Sequence, residues 1–458
     1  MATKMKFSNM EDFIIGNSLK KRPLMLDRKK NRHSIFRNSK ISPTLGILAF
    51  ETAKVMSRLV SLHKSLSDTE HSKLLKEIVK LEGVSYLISK DEDYLLKLAC
   101  MEKMEDLDRA GIVVARLGKR CSNPDLKNFE RIYSDMKLGL FDLNNFSAAS
   151  KEAQKTMGKL ERFVSDTSEL YSSLESLLEM EASERKIMQW KNNVNLAPKI
   201  NYDLFEAKIS WQRQKVRHLR QVSLWGQTFN KTVRLMAGGI CIVYARLRVA
   251  FSPYIVKPTR HMRYASDSNL DSLCINKMEN GGRRFVSKSG PIPSGQNNVG
   301  FGGFKLIHQA GPSTIGGSGL TLRLAKVVLT VDKYMKSRSS ISDSGREDLY
   351  HMLPTSLKRL VKSKLKKFTT KELEQSGDDS LTEGWKEGLN RILGWLAPMA
   401  QDTIKWHMER NVEKQNFDPR AKVLLLQTLF FADREKSEVA IAEVLVGLSC
   451  ICKYETLH

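Results

Sequence analysis

Cysteine is scarce, with six residues in a chain of 458. That is too few for a disulfide scaffold of this length. No CxxC pair occurs, and Cys450 and Cys452 stand too close together for a metal knuckle. The thiols therefore read as reduced, intracellular and mostly buried. A long apolar run is also missing. The longest, from Leu235 to Phe251, is cut by Arg246 and Arg248. A bilayer span needs about 20 apolar residues, so a soluble or peripheral protein is expected. The start Met1-Ala2-Thr3-Lys4 carries no apolar signal region, so secretion is not expected. With Ala2 at the second position, N-myristoylation is not expected.

Catalytic signatures are lacking as well. There is no HExxH or HxxxH pair, no Gly-x-Ser-x-Gly elbow and no kinase motif set. The glycines Gly316, Gly317 and Gly319 invite comparison with a phosphate loop. Such a loop needs Gly-Lys-Ser/Thr, and here Leu320-Thr321 follows. A tight turn at a helix start is the expected role, with an exposed anion contact as the alternative. His351 and His407 read as helix-surface residues, and Cys100 and Cys121 as buried thiols. Asp91 and Asp93 sit at a helix start, where they complement the dipole. No catalytic residue, metal, cofactor or small-molecule substrate is expected.

Acidic residues are in deficit: 51 against 75 Lys and Arg, for a net charge of +24. The excess is local. Residues 1–40 hold eleven basic and three acidic residues, residues 208–248 nine and none, and residues 355–371 seven and none. Anionic partners are favoured: nucleic acid, acidic proteins or an anionic membrane surface. In the first stretch, Lys20, Lys21 and Arg22 with Arg28, Lys29 and Lys30 form a candidate nuclear-import signal. The stripe Lys358, Arg359, Lys362, Lys364, Lys366 and Lys367 has no nearby acidic block and is the candidate anionic-partner surface. Arg213, Arg217 and Arg220 form a second stripe, expected to pair with Glu175, Glu179, Glu181 and Glu184 on a neighbouring helix.

Strand patterning and solenoid repeats are absent, whereas helical patterning is extensive. Leu48, Val55, Leu59 and Leu62 share a helix face. Capping boxes open at Ser67 and Ser89, and Gly83 is read as a helix end. Asn123-Pro124 caps a further helix. Residues 151–190 read as one long Pro-free helix, able to form a hairpin with residues 203–250. Asp343, Pro354-Thr355 and Asp418-Pro419 are read as later helix starts. The fold class is therefore mainly α, built of helical bundles with long helices. Four parts are expected: a disordered basic arm (1–40), an N-terminal helical domain with the hairpin (41–255), a flexible Ser/Gly/Pro-containing linker (256–312) and a C-terminal helical domain (313–458).

Several ordered motifs resemble a plant family. Leu45-Gly46-Ile47-Leu48-Ala49-Phe50-Glu51-Thr52-Ala53, Leu66-Ser67-Asp68, Glu82-Gly83-Val84 and Asp91-Glu92-Asp93-Tyr94-Leu95-Leu96 are similar to its N-terminal domain. Trp211-Gln212-Arg213-Gln214 and Ser223-Leu224-Trp225 match its middle. Gly316-Gly317-Ser318-Gly319-Leu320 through Asp348-Leu349-Tyr350-His351-Met352-Leu353-Pro354 resembles its C-terminal domain. The family is that of the PSK simulator proteins, named for the peptide hormone phytosulfokine. The resemblance implies a non-enzymatic regulator of plant growth that works through protein partners in hormone-linked pathways. It gives Gly46, Trp211, Gly316, Gly317, Gly319 and Pro354 structural roles. Some members resemble myristoylated proteins of membrane and nucleus, with Gly at position 2. Ala2 departs from that, so the chain looks like a shorter, non-lipidated member. Nucleus, cytoplasm or a peripheral place at the plasma membrane is the expected location. A nucleic-acid-associated nuclear factor and a peripheral membrane adaptor are the alternative readings.

Overall fold

The structure, a computed structural model, describes residues 43–140, 151–193, 202–255, 306–336, 343–369, 379–410 and 423–455. The candidate import residues Lys20 to Lys30 and the helix start read at Asp418-Pro419 lie outside them. Among the described residues there are fourteen α-helices and no named strand, only two isolated bridges, Thr44 to Thr228 and Thr314 to Asp433. The mainly helical class read from the sequence is borne out.

In the first half, α1 (Leu48–Ser65), α2 (Asp68–Lys73) and α3 (Glu82–Leu87) lead to α4 (Glu92–Gly118), followed by α5 (Pro124–Lys127) and α6 (Phe129–Lys137). The chain then runs through α7 (Lys151–Asn193), α8 (Tyr202–Val222) and α9 (Phe229–Ala250). The second half holds α10 (Thr321–Lys336), α11 (Asp343–Met352), α12 (Thr355–Thr369), α13 (Asp379–Arg410) and α14 (Arg434–Glu455).

Local sequence explains the starts of α2, α4 and α5. Ser67 accepts from Glu70 N, and Asn123 accepts from Asp125 N and Leu126 N ahead of Pro124. Each such cap satisfies N–H groups that a helix leaves orphaned. At α4 the cap differs from the sequence reading: Asp91 accepts from Asp93 N and Tyr94 N, while Ser89 Oγ only accepts from Asp91 N. A carboxylate nearer the helix takes over the role because it complements the dipole as well as the orphan donors.

The apolar run that looked most like a membrane segment is α9, a core helix. Val233, Met236, Ile240, Val243, Tyr244 and Leu247 are buried along it. Arg246, which interrupts the run, caps another helix: its Nε donates to Leu66 O at 2.7 Å, just past the end of α1. Its NH1 lies 3.1 Å from His63 Nε2. Burial and then the Arg246 charge push the His63 imidazole down to about 4, so it is neutral and accepts from the guanidinium. Among the described residues no helix is long and apolar enough to cross a membrane.

The hairpin expected from the sequence is present. α7 is 43 residues, about 64 Å at 1.5 Å per residue, and α8 folds back along it. Leu170, Val216 and Leu219 form the seam, and buried Gln212 donates to Ser173 O at 2.9 Å. Arg213 pairs with Glu181 at 3.3 Å and Glu184 at 2.9 Å, and Lys215 with Glu169 at 2.9 Å. Such exposed pairs contribute about 1 kcal/mol or less each, so they fix register more than stability. α1 lies against the inner part of α7, from Lys64 at Glu161 to Phe50 at Tyr171.

The two helical stretches meet across one continuous core that includes Leu59, Leu107 and Ile240 from the first and Leu324, Leu396 and Leu445 from the second. Asp433 N donates to Leu87 O at 2.8 Å, and the Tyr86 and Trp395 rings lie 5.5 Å apart. The last residues of the stretch read as linker already pack on α4. Leu306 is buried, and its N–H donates to Glu105 Oε2 at 2.9 Å. Gly83 does not end a helix. It sits inside α3, where a Cβ would lie 2.5 Å from Met399 Sδ and 3.2 Å from Trp395 O. It is glycine because α13 comes this close.

Candidate functional site

The motif residues are largely accounted for by folding. Gly46 has φ +53, a left-handed conformation that glycine adopts without a Cβ penalty. Its N–H donates to Trp225 O, and Leu45 N donates to Gln227 O. The Leu45-Gly46 and Ser223-Leu224-Trp225 motifs are thus two sides of one junction. Pro354, a buried residue, leads into α12, and Lys358 N donates to its carbonyl. The Arg323 guanidinium donates to the carbonyls of His351, Met352 and Leu353, closing the turn that precedes it.

The glycine turn before α10 spends its donors internally. Ile315 N bonds Ala432 O, Gly316 N bonds Phe430 O, Gly317 N bonds Thr314 Oγ1, and Gly319 N bonds Gly316 O. A Cβ at Gly317 would lie 2.1 Å from Gly311 O, one at Gly316 would lie 2.6 Å from Phe430 O, and Gly319 has φ +71. A phosphate loop needs such N–H groups aimed at the ligand. Here they anchor the start of α10 to the segment before α14.

The basic stripe on α12 is split by its surroundings. Leu357 is buried, and α12 packs on α14. Lys364 turns toward that helix and pairs with Glu443 at 3.1 Å. The sequence shows no acidic block near the stripe, and a helix remote in sequence supplies this one carboxylate. Lys358 Nζ lies 4.3 Å from the centre of the Tyr350 ring, a cation–π contact. Arg359, Lys362 and Lys366 are exposed and, at i, i+3 and i+7, share the outer face. Lys367 falls within α12, but its side chain is outside the described set.

On the hairpin, Trp211 is 60% exposed and Leu204 is 68% exposed. Seven residues apart on α8, they lie on one face, with Lys215 Nζ 5.6 Å from the Trp211 ring centre. This places Trp211 at the surface, although its motif neighbour Gln212 is structural.

One polar cluster is not among the sequence candidates. Glu102, Lys103 and Asp106 of α4 are buried where the two stretches meet. Glu102 accepts from Trp406 Nε1 at 3.1 Å through one oxygen and from Leu425 N at 2.6 Å through the other. Lys103 Nζ donates to Ser65 Oγ at 2.8 Å, and Ser65 Oγ donates to Leu62 O. Burial lowers the Lys103 pKa against the fields of Glu102, Asp106 and Glu70. The signal was in the pattern: Glu102 and Asp106 continue the apolar stripe of Leu95 and Ala99, where a solvent-facing charge is out of phase. Among the described residues no group of three or more His, Cys, Asp or Glu could hold a metal ion.

Comparison with known proteins agrees with the resemblance noted from the motifs. Residues 47–103 match a family described as a domain of unknown function (DUF3475), and residues 314–405 one described as a protein of unknown function (DUF668). Protein PSK SIMULATOR 1 of Arabidopsis thaliana is 25% identical over 416 residues, 88% of this chain and 55% of its own length. Protein PSK SIMULATOR 3 of the same plant is 25% identical over 415 residues, 88% and 56% of the two chains. Protein PSK SIMULATOR 2 is 24% identical over 421 residues, 89% and 59%. The chain spans a little over half the length of these curated relatives. No solved structure matches it.

Proposed function

We propose that the chain is a non-enzymatic regulator of plant growth that acts through protein contacts in a phytosulfokine-linked pathway. The observation that carries this reading is the 25% identity to Protein PSK SIMULATOR 1, which extends over 88% of the chain instead of one domain. The structure supports it by what it offers a partner. The hairpin exposes Leu178, Leu204 and Trp211, large apolar side chains on paired helices. Aromatic anchors of this kind dominate protein interfaces. The glycine turn, the one feature that suggested nucleotide chemistry, has its N–H groups engaged within the fold. Seedlings lacking the protein are expected to show a reduced growth response to added phytosulfokine, restored by the intact chain and not by a Leu204→Asp, Trp211→Asp double variant. An undiminished response in the deficient seedlings contradicts the hormone link. Full rescue by the double variant removes the hairpin from the mechanism.

A second reading, a peripheral membrane adaptor, is favoured by the exposed face of Arg359, Lys362 and Lys366. Each basic residue near an anionic surface contributes about 1 kcal/mol, so this face would give weak, salt-sensitive adhesion. Binding to phosphatidylserine vesicles is expected at low salt and is expected to vanish near about 0.5 M salt, where the Debye length falls to a few ångströms. Reversing Arg359 and Lys362 to Glu should abolish it. Equal binding by the variant leaves the stripe as a solvated helix face.

A further inference from the structure

A cavity of about 210 Å³ opens where α2, α4 and α13 face the segment leading to α14. Its charged and amide lining is Glu70, Lys73, Lys103, Asp402, Lys405 and Gln427. The volume is enough for several water molecules or a small ligand. Both halves of the chain contribute: Lys73 and Lys103 come from the first, Lys405 and Gln427 from the second.

Lys103 is the informative residue. It is 5% exposed, and among the described residues its ammonium makes one hydrogen bond, to Ser65 Oγ, and no ion pair. An ammonium has three donors. The carboxylate before it in sequence, Glu102, has both oxygens turned to Trp406 and Leu425. Two donors of a buried cation are therefore without a hydrogen bond among the described residues, in a residue that lines the cavity. Lys73 and Lys405 are exposed and stand at the rim of the same cavity. Gln427 Oε1 is held by Leu424 N, which commits the oxygen and leaves the amide NH₂ as a donor. Burial raises the pKa of the Asp402 carboxyl against the field of Lys405. Glu70 and Asp402 are the acidic residues in the wall, set against the three lysines.

We infer that this cavity is a binding site for a small tetrahedral oxyanion of the phosphate class, held by Lys103 at its base, Lys73 and Lys405 at its rim and the Gln427 amide. A buried ammonium with a single hydrogen bond is costly even in the fields of Glu102, Asp106 and Glu70, and a charge-assisted contact to an anion lowers that cost. Because its ligands come from both halves, the anion would tie them together.

The probes are inorganic phosphate and O-phosphoserine, with sodium chloride at matched ionic strength as control, on the full chain. Phosphate at about 10 mM is expected to raise the thermal midpoint by a few degrees over chloride, since a ligand that binds only the folded state stabilises it. The ³¹P resonance should broaden in the presence of protein. Lys103→Met alters the buried cluster as well as the cavity, so the deciding variants are the exposed Lys73→Met and Lys405→Met. Each should fold and weaken phosphate binding about tenfold. Tighter binding of O-phosphoserine than of phosphate would identify a phosphorylated side chain as the source, and the reverse a free anion. No shift beyond chloride with either probe overturns the proposal. A shift that both rim variants retain in full overturns this location.

Discussion

Replacing Glu102 by alanine is expected to destabilise the protein by about 3–5 kcal/mol, the range seen when one member of a buried charged network is removed. The carboxylate does three things at once. One oxygen accepts the Trp406 indole N–H, the other accepts the Leu425 backbone N–H, and its charge supports the buried ammonium of Lys103. Alanine strands two donors and a cation in an interior where Trp406 and Leu425 are 7% and 2% exposed. Urea unfolding followed by circular dichroism measures the loss. Glu102→Gln should lie between the two, because its amide keeps one acceptor but sets an NH₂ group against the other donor. Trp406→Phe removes one donor and keeps the charge, so about 1–2 kcal/mol is expected. An alanine variant within about 0.5 kcal/mol of the parent, the range of ordinary surface substitutions, would mean that the cluster does not hold the halves together.

The hairpin was legible because it is local and doubly specified. A Pro-free apolar repeat extends through α7, and the acidic residues Glu181 and Glu184 meet the basic Arg213 across the turn. Ser67 and Asn123 were legible as caps because capping is decided within three residues. What the sequence hid depends on segments far apart in the chain. Glu443 pairs with Lys364 across 79 positions, and Glu102 reaches Leu425 across 323. No local pattern encodes such partners. Reading the charges on α12 as an unopposed stripe was reasonable within that helix and incomplete once α14 packed on it. The joint core has the same origin. Two apolar helical stretches separated by a polar segment look like independent domains, and only the placement of α3 against α13 and the bond from Trp406 of α13 to Glu102 of α4 show them in contact.

Gly83 turns that sharing into a test, because valine at this position is expected to unfold the second half as well as the first. The residue looked like a helix terminator, since glycine is common there. It is instead the point of closest approach between α3 and α13. The Cβ of any other residue would sit 2.5 Å from Met399 Sδ, 3.2 Å from Trp395 Cε3 and 3.2 Å from the Trp395 carbonyl oxygen. The methionine side chain can swing aside, whereas the indole and the backbone oxygen cannot move without shifting α13. Alanine should therefore be tolerated in part, and valine, with two further methyl groups, should cost about 3 kcal/mol, the upper end of ordinary overpacking. The direction of the damage is diagnostic. The Tyr86 ring lies tilted against Trp395 at 5.5 Å, and Lys436 Nζ donates to Tyr86 O, so displacing α3 disturbs contacts made by α13 and α14. Tryptophan fluorescence of a background that keeps only Trp395 and Trp406, with the other four tryptophans changed to Phe, should then shift at the same urea concentration as the helical signal of the whole chain. If valine lowers only part of the helical signal while the indole transition stays at the parent midpoint, the halves fold separately and their contact is a surface between modules. If both midpoints fall together, the chain unfolds as one body across the contact at Gly83.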